Sequence, residues 1–440
     1  MYGSSVLEFD SSRLNSPAAV ATAVHDIYRE LRRGRRVIAH VGGLPWSEQA
    51  ARWLGYALEQ AGIAHEIGAP AVTDPAWASA ELAVRVIASS EPPKPSGVRR
   101  SVPSKPLRIV LLGLGTVGLG VYRHLAARPD LFDVRRVVVR DPARHRDDGV
   151  PAARLSTNLW HAINEPADLV IELVGGIDPV SDVVHAALLR GRTVVSANKA
   201  LVATRWDLFE RYARSPSPRL HYSAAVGGAL PVLETIARAS RAGAIASVRA
   251  VINGTCNFVL DELATGASLD EAVALAQRHG FAEADPRADL SGTDAAQKLS
   301  LIARAAFGVA PQPGEIARRG IESLTPAALA ALAARGRHLR LVASCVHEAG
   351  GLRARVAPEE LAAADYLAGA RREENRVELL TTAGETLRLA GKGAGRWPTA
   401  LSVMGDVYEL LESRASRAIP VLLESTRRQR KATTHLGLSK

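Results

Sequence analysis

The sequence predicts an α/β chain in which a doubly wound parallel sheet leads into an α+β domain, with a small α/β module in front. Three observations predict it. The apolar run Leu107–Leu112 is followed at once by a glycine-rich turn, Gly113-Leu-Gly115-Thr-Val-Gly118, and then by a helix-forming stretch. Beyond that turn, short apolar runs alternate with helical periodicity, the pattern of parallel strands joined by crossover helices. From about Pro231 the alternation gives way to several helices and then several strands, the order of a separate α+β unit. A chain of 440 residues holds two or three such domains.

Along the chain, Val6–Phe9 and Arg36–Val41 read as strands, and Pro17–Leu31 and Ser47–Ala61 as helices. These form a module over residues 1–90. The stretch 91–106, EPPKPSGVRRSVPSKP, resists helix and sheet and reads as a linker. Residues 107–230 carry strands at Leu107–Leu112, Val134–Val139, Leu169–Leu173 and Thr193–Ser196. Helices are expected between them at Val117–Ala127, Pro179–Arg190 and Leu208–Tyr212. Residues 231–398 carry helices at Pro231–Ala242, Leu269–His279, Thr293–Phe307 and Pro326–Ala334. Their strands are expected at Ala246–Ile252, Arg337–Val346, Asn375–Thr381 and Glu385–Ala390. Residues 399–440 give a helix, Thr399–Arg414, returning toward the first sheet, and a frayed basic tail.

Composition is that of a globular protein, 47% hydrophobic and 23% charged, with mean hydropathy near zero. The net charge of +10 comes mainly from scattered arginines, clustered only at Arg32–Arg36, Arg99–Arg100 and Arg427–Lys431. No recognition motif or aromatic stacking platform accompanies them, which argues against nucleic acid as a partner. The two cysteines, Cys256 and Cys345, form neither a disulfide framework nor a zinc-ligand spacing. The opening MYGSSVLEFD has no signal-peptide pattern. The longest apolar stretch, about Ile109–Tyr122, is broken by four glycines and too short to cross a membrane. A cytoplasmic enzyme acting on a small molecule is the expectation.

The glycine turn is the first chemical signal. Gly113 permits the tight turn, Gly115 lets a pyrophosphate approach the backbone, and Gly118 allows close helix–strand packing. Thr116 and Val117 open the following helix, whose N-terminus favours phosphate charge. This is a Rossmann-type nucleotide site. At the end of the second strand, Arg140 is placed for the 2′-phosphate of NADP, while the adjacent Asp141 keeps NAD open. The second signal is GFAEADPRADLSGTDAAQKLSL, Gly280–Leu301, which gathers Glu283, Asp285, Asp289, Asp294 and Lys298. Asp294 and Lys298 are spaced i, i+4 and share a helix face; on spacing alone a surface salt bridge is the commoner outcome.

The order of motifs resembles homoserine dehydrogenase. It runs from GLGTVG through ELVGG (Glu172–Gly176), SANKAL (Ser196–Leu201), AAVGGALP (Ala224–Pro231) and NGTCNFVL (Asn253–Leu260) to the acidic segment and GKGAGRWPTA (Gly391–Ala400) with Asp406. The resemblance covers roughly Leu107–Leu411. It implies reduction of L-aspartate 4-semialdehyde to L-homoserine with NADPH or NADH, in threonine and methionine synthesis, by a homodimer whose second domain serves substrate binding and dimerisation. It assigns Lys199 and Lys298 to proton transfer beside Asp294, with Lys298 favoured as donor and Lys199 assisting. It assigns Glu283, Asp289, Asp294 and Gly254 to the substrate, and Ser196, Asn198 and Lys199 to the nicotinamide end. The family can also carry a monovalent cation, often sodium, on main-chain oxygens near Val226 and Gly228. Here Ser223 stands where a carboxylate is often found and Ala229 replaces a frequent glycine, which argues against that ion.

Two other readings compete. Cys256 as a nucleophile with His279 as base makes a cysteine-dependent semialdehyde dehydrogenase; NGTCNF instead fits a packed, non-catalytic cysteine. A non-catalytic scaffold of the same pathway is the other. It draws on the N-terminal module, where VLEF and RVIAHVGG faintly resemble the opening of an aspartate kinase. Glu8, Asp10 and Ser11 lie where that family holds phosphate, and their charge repels it. The module therefore reads as a catalytically dead remnant used for dimer or partner contacts. About 30 residues follow Asp406, too few for a regulatory ACT domain.

Overall fold

A computed structural model describes residues 4–11, 14, 17–42, 47–61, 63, 65–68, 84–89, 105–145, 147–348 and 351–414. Most of the linker and all of the basic tail lie outside these residues. The first module is a parallel sheet of β1 (Ser4–Asp10), β2 (Arg36–Gly42), β3 (His65–Gly68) and β4 (Val84–Ser89), in the order β1-β2-β4-β3. Helices Pro17–Arg32 and Ser47–Gln60 pack on it. Ile27, Tyr28, Val37, Leu54 and Leu58 form its core. The apolar run of β2 is legible because it is buried along nearly its whole length. β3 and β4 are not anticipated by the sequence reading: β3 has four residues, one of them a glutamate, so no period develops.

The second unit is an all-parallel sheet of β5 (Leu107–Leu112), β6 (Phe132–Val138), β7 (Leu155–Ser156), β8 (Leu169–Glu172), β9 (Thr193–Ser196) and β10 (Leu220–His221). Its order is β10-β9-β8-β5-β6-β7. The chain runs outward from β5 to β7 and then returns to the other side of β5. The switch point therefore lies between β5 and β8, where nucleotides bind doubly wound sheets. The glycine turn sits at that point. The helix spanning residues 396–414 lies on this unit, with Ala400, Val403, Met404, Val407 and Leu411 packed among Leu107, Ile109, Leu125 and Phe132. Those five positions recur every three or four residues, so they form one helix stripe.

The third unit is a mixed sheet of β11 (Ile245–Val251), β12 (Ala317–Arg318), β13 (Arg337–Glu348), β14 (Gly351–Ala362), β15 (Glu374–Thr381) and β16 (Thr386–Lys392). The order is β12-β14-β13-β11-β15-β16, antiparallel except for the short β12–β14 pair. Helices Gly254–Ala264, Thr293–Phe307 and Pro326–Ala333 pack against β13. Two long elements here are absent from the sequence reading. Helix Gly254–Ala264 begins after an unhelical-looking NGT, but Asn253 caps it by accepting from the Cys256 amide at 2.8 Å. β14 contains Pro358 and many charges. It tolerates the proline because β12 borders it only at Arg355 and Val356, leaving much of one edge unpaired.

Candidate active site

The glycine turn is held by backbone packing. Gly113 has φ +96°, and a Cβ there would stand 2.7 Å from the Leu173 carbonyl oxygen. A Cβ on Gly118 would run into the Gly113 carbonyl oxygen. Gly115 differs: it caps helix Thr116–Ala126 at φ −72°, and a Cβ there would meet nothing within 4 Å. Open space therefore lies in front of Gly115, facing the start of a helix whose first amides lack intrahelical acceptors. The Thr116, Val117 and Gly118 amides belong to that first turn. Past β6, Arg140 is exposed and pairs with nothing among the described residues. Asp141 is turned onto its own loop, accepting from the Ala143 amide at 3.0 Å and lying 3.5 Å from Arg144.

At the neighbouring strand end, Glu172 is fully buried. It accepts from the Ser196 hydroxyl at 2.6 Å and from the Val174 and Gly175 amides at 2.9 and 3.3 Å. Burial raises its carboxyl above the usual range, and these hydrogen bonds only partly oppose that. Asn198 donates to the Gly176 carbonyl at 2.6 Å and caps helix Lys199–Thr204 by accepting from the Leu201 amide at 3.1 Å. Ser196 and Asn198 thus shape the 173–177 loop that closes over Gly113. Sequence motifs alone do not mark Glu172 as a site residue. Its signal was present: a carboxylate ending the otherwise apolar run LVIE.

Asn198 also aims Lys199. Its Nζ lies 2.9 Å from Asp294 Oδ1, and Lys298 Nζ lies 2.9 Å from Asp294 Oδ2. Lys199 comes from the nucleotide unit; Asp294 and Lys298 come from the first turns of helix Thr293–Phe307 in the third unit. Lys298 also donates to the Ile252 carbonyl at 2.8 Å. Asn253 Nδ2 reaches Asp294 at 2.9 Å and Asp289 at 2.7 Å, and the Thr255 hydroxyl lies 2.9 Å from Asp289. Burial pushes the Asp294 carboxyl up, but Lys298 and Lys199 outweigh it and hold the group well below the carboxylate range. Asp294 raises Lys199 despite desolvation, with Asp289 and Glu283 adding to the effect. The side chain of Lys199 is 37% exposed and that of Lys298 11%.

The fold thus brings Lys199, Asp289, Asp294 and Lys298 together, with Glu283 close enough to act on Lys199. Glu283 itself is exposed, on a loop tied by Gln277 to its carbonyl at 3.1 Å. Gly254 has a packing reason: a Cβ there would come within 2.9 Å of the Glu373 backbone. Cys256 is not built as a nucleophile. It is fully buried, its thiol donates to the Asp289 carbonyl at 3.2 Å, and burial beside Asp289 and Asp294 raises the thiol well above its usual value. His279, its supposed base, is exposed and stacks on Phe281.

Near Val226 and Gly228, where the resemblance places a cation on main-chain oxygens, the neighbouring charged side chains are paired with one another. The Ser223 hydroxyl donates to Glu234 at 2.7 Å, and its amide lies 3.3 Å from Asp406. Both carboxylates are already met by the guanidinium of Arg32, at 2.6 Å each. Among the described residues, no group of three or more His, Cys, Asp or Glu is arranged to hold a metal. No helix of the described residues is long and apolar enough to cross a membrane.

Comparison with known proteins gives the family. A family model described as homoserine dehydrogenase matches residues 231–408, and one described as homoserine dehydrogenase, NAD binding domain, matches residues 113–221. The homoserine dehydrogenase of Corynebacterium glutamicum is 36% identical over 320 residues, covering 69% of this chain and 72% of that protein. The crystal structure of a homoserine dehydrogenase from Thiobacillus denitrificans superposes with a TM-score of 0.66 at 32% identity, over 71% of this chain and 74% of that one. A hyperthermophilic archaeal homoserine dehydrogenase solved with NADPH shares the fold at 21% identity and a TM-score of 0.59, over 69% of this chain and 97% of that one. The chain is an NAD(P)-dependent oxidoreductase and belongs to the homoserine dehydrogenase family.

Proposed function

We propose that Lys199, Asp294 and Lys298 carry the reversible reduction of the L-aspartate 4-semialdehyde aldehyde to the alcohol of L-homoserine. The observation that carries this reading is the shared carboxylate: one buried Asp294 holds two ammonium groups at 2.9 Å each, one from the nucleotide unit and one from its own helix. When bound, the nicotinamide supplies or takes the hydride at the carbonyl carbon. The protein must then meet alkoxide charge on the oxygen. Lys298 donates the proton, and Lys199, the more open of the two, neutralises the growing charge. Asp294 stays ionised, keeps Lys199 charged and aims both ammonium groups. Glu283 and Asp289 supply the negative charge that holds the substrate's amino end.

Gly113, Gly115 and the amides of Thr116, Val117 and Gly118 hold the pyrophosphate, and the unpaired Arg140 favours NADP over NAD. Ser196 and Asn198 order the nicotinamide end. The substrate unit is residues 231–398, the nucleotide unit 107–230, and the N-terminal module a non-catalytic remnant. A homodimer and a cytoplasmic setting follow from the family resemblance. The test is homoserine oxidation by the purified protein at alkaline pH with NADP and with NAD. Turnover with NADP the better cofactor is expected; no turnover with either overturns the reading.

A further inference from the structure

Helix Pro17–Arg32 of the N-terminal module ends inside the rest of the protein. The Arg32 side chain is 2% exposed. Its Nη2 lies 2.6 Å from both Glu234 and Asp406, its Nε 3.0 Å from Glu409, and its Nη1 donates to the Ser402 carbonyl at 3.2 Å. The Arg32 carbonyl in turn accepts from Arg238 at 3.2 Å. Burial alone would make the guanidinium less basic; the three carboxylates more than reverse this, so it stays charged. The core of the module is continuous with the same region, through Ala229 and Leu401.

The partners of Arg32 come from two elements with different duties. Asp406, Ser402 and Glu409 belong to helix 396–414, which is packed on the nucleotide sheet. Glu234 is in the first turn of helix Val232–Ala242, which packs against helix Thr293–Phe307, the carrier of Asp294 and Lys298. Ser223 closes the ring by bonding to both Glu234 and Asp406. Arg32 is therefore the joint between an element fixed to the Lys199 side of the cleft and an element fixed to the Asp294 side. A planar fork with five donors suits such a junction; a point charge does not span it.

We infer that Arg32 is a positioning residue of this dehydrogenase: supplied by the N-terminal module, its guanidinium is a built-in cation that sets the two halves of the active site against each other. The inference rests on the reaction assigned above for its activity readout. It gives the module a role in catalysis although it touches neither substrate nor cofactor.

The test uses the full chain with Arg32→Ala, Arg32→Lys and Gly405→Ala. The third leaves every charge in place, but its new Cβ would run into the Arg32 guanidinium and push it from its seat. Wild-type turnover is measured first, since its absence sinks the assigned reaction and not the joint. For folded R32A and G405A, kcat should fall by about tenfold or more while the dissociation constant of NADPH changes by less than about twofold. Millimolar guanidinium should restore part of the R32A loss, sodium chloride of equal ionic strength should not, and R32K should be intermediate. Hydrogen exchange reads the joint without turnover: amides of helices Val232–Ala242 and Thr293–Phe307 should exchange faster in both variants. If folded R32A and G405A keep wild-type kcat and wild-type exchange in those helices, with only a lower melting temperature in R32A, the inference is wrong. If R32A does not fold, G405A alone decides.

Discussion

Lys199 Nζ stands 2.9 Å from Asp294 Oδ1, and this ion pair joins the nucleotide unit to the third unit of the chain. The carboxylate is buried and the lysine is partly exposed. Such a pair is costly to break from one side, because a charge is then left in the interior without its partner.

Removing the carboxylate tests this directly. Asp294 is what raises Lys199, so in Asp294→Asn the lysine loses its proton at lower pH. Aldehyde reduction requires the ammonium. The alkaline limb of its pH–rate profile should therefore shift to lower pH, with kcat reduced about 10²-fold. Lys298→Ala should lower kcat by a similar factor while NADPH binding, followed by fluorescence titration, stays near wild type. An unshifted alkaline limb in the Asn variant would show that the charge on Lys199 is not what the reduction needs.

The glycine turn gives a contrast between two neighbours. Gly115→Ala adds a methyl group into empty space, so the melting temperature should be unchanged while NADPH affinity falls at least about tenfold, because the pyrophosphate needs that space. Gly118→Ala drives a methyl group into the Gly113 carbonyl oxygen and should lower the melting temperature as well. Paired calorimetry and cofactor titration distinguish the two; equal behaviour would remove the argument for a phosphate path at Gly115.

The contact between the N-terminal module and the nucleotide unit should be acid-sensitive. His25 and His124 are buried with ring centroids 4.1 Å apart, and His124 Nε2 lies 2.9 Å from the Tyr408 hydroxyl. Burial pushes His124 down from 6.5 to about 4, with Arg128 adding to it. Burial also pushes His25 well down, helped by His124, Arg29 and Arg32. Both rings are neutral in the folded protein at neutral pH, so their contribution is complete above about 6.5. Below that value the unfolded chain takes up protons that the folded chain refuses, and stability falls until about pH 4. For His124 the loss is on the order of 3 kcal/mol. Urea midpoints at several pH values in this window should show the decline, and His124→Gln should flatten it.

Thiol chemistry should be irrelevant to turnover. Cys256 is enclosed and its thiol is held protonated. Iodoacetamide should leave the native protein active, and Cys256→Ala should keep kcat within about twofold while costing about 1 kcal/mol of stability. Rapid inactivation protected by substrate would revive the cysteine-dependent reading.

Much of the fold was legible because it is written in local periodicity. β2, β5 and β8 are short apolar runs that end in turn signals, and helix Thr293–Phe307 is a largely apolar run of helical length, buried nearly all round, that stops at Gly308. The elements that escaped are those whose stability comes from neighbours. β3, β7 and β10 are too short to carry a period, and β14 holds a proline that only its largely open edge allows. In the site, Glu172 escaped because a carboxylate after an apolar strand resembles an ordinary strand end until Ser196 and the 174–175 amides are seen around it.

The sequence by itself determined the nucleotide turn, the strand and helix alternation that carries it, and the set of charged residues available for catalysis, since these depend on chemistry within a few residues. Only the tertiary structure decided which charges meet. Spacing within helix Thr293–Phe307 could pair Asp294 with Lys298, but nothing local pairs Asp294 with Lys199 or seats Arg32 between Glu234 and Asp406. Those contacts form because the packed units exclude water from the carboxylates, and a buried carboxylate without a cation is too costly to leave unpaired.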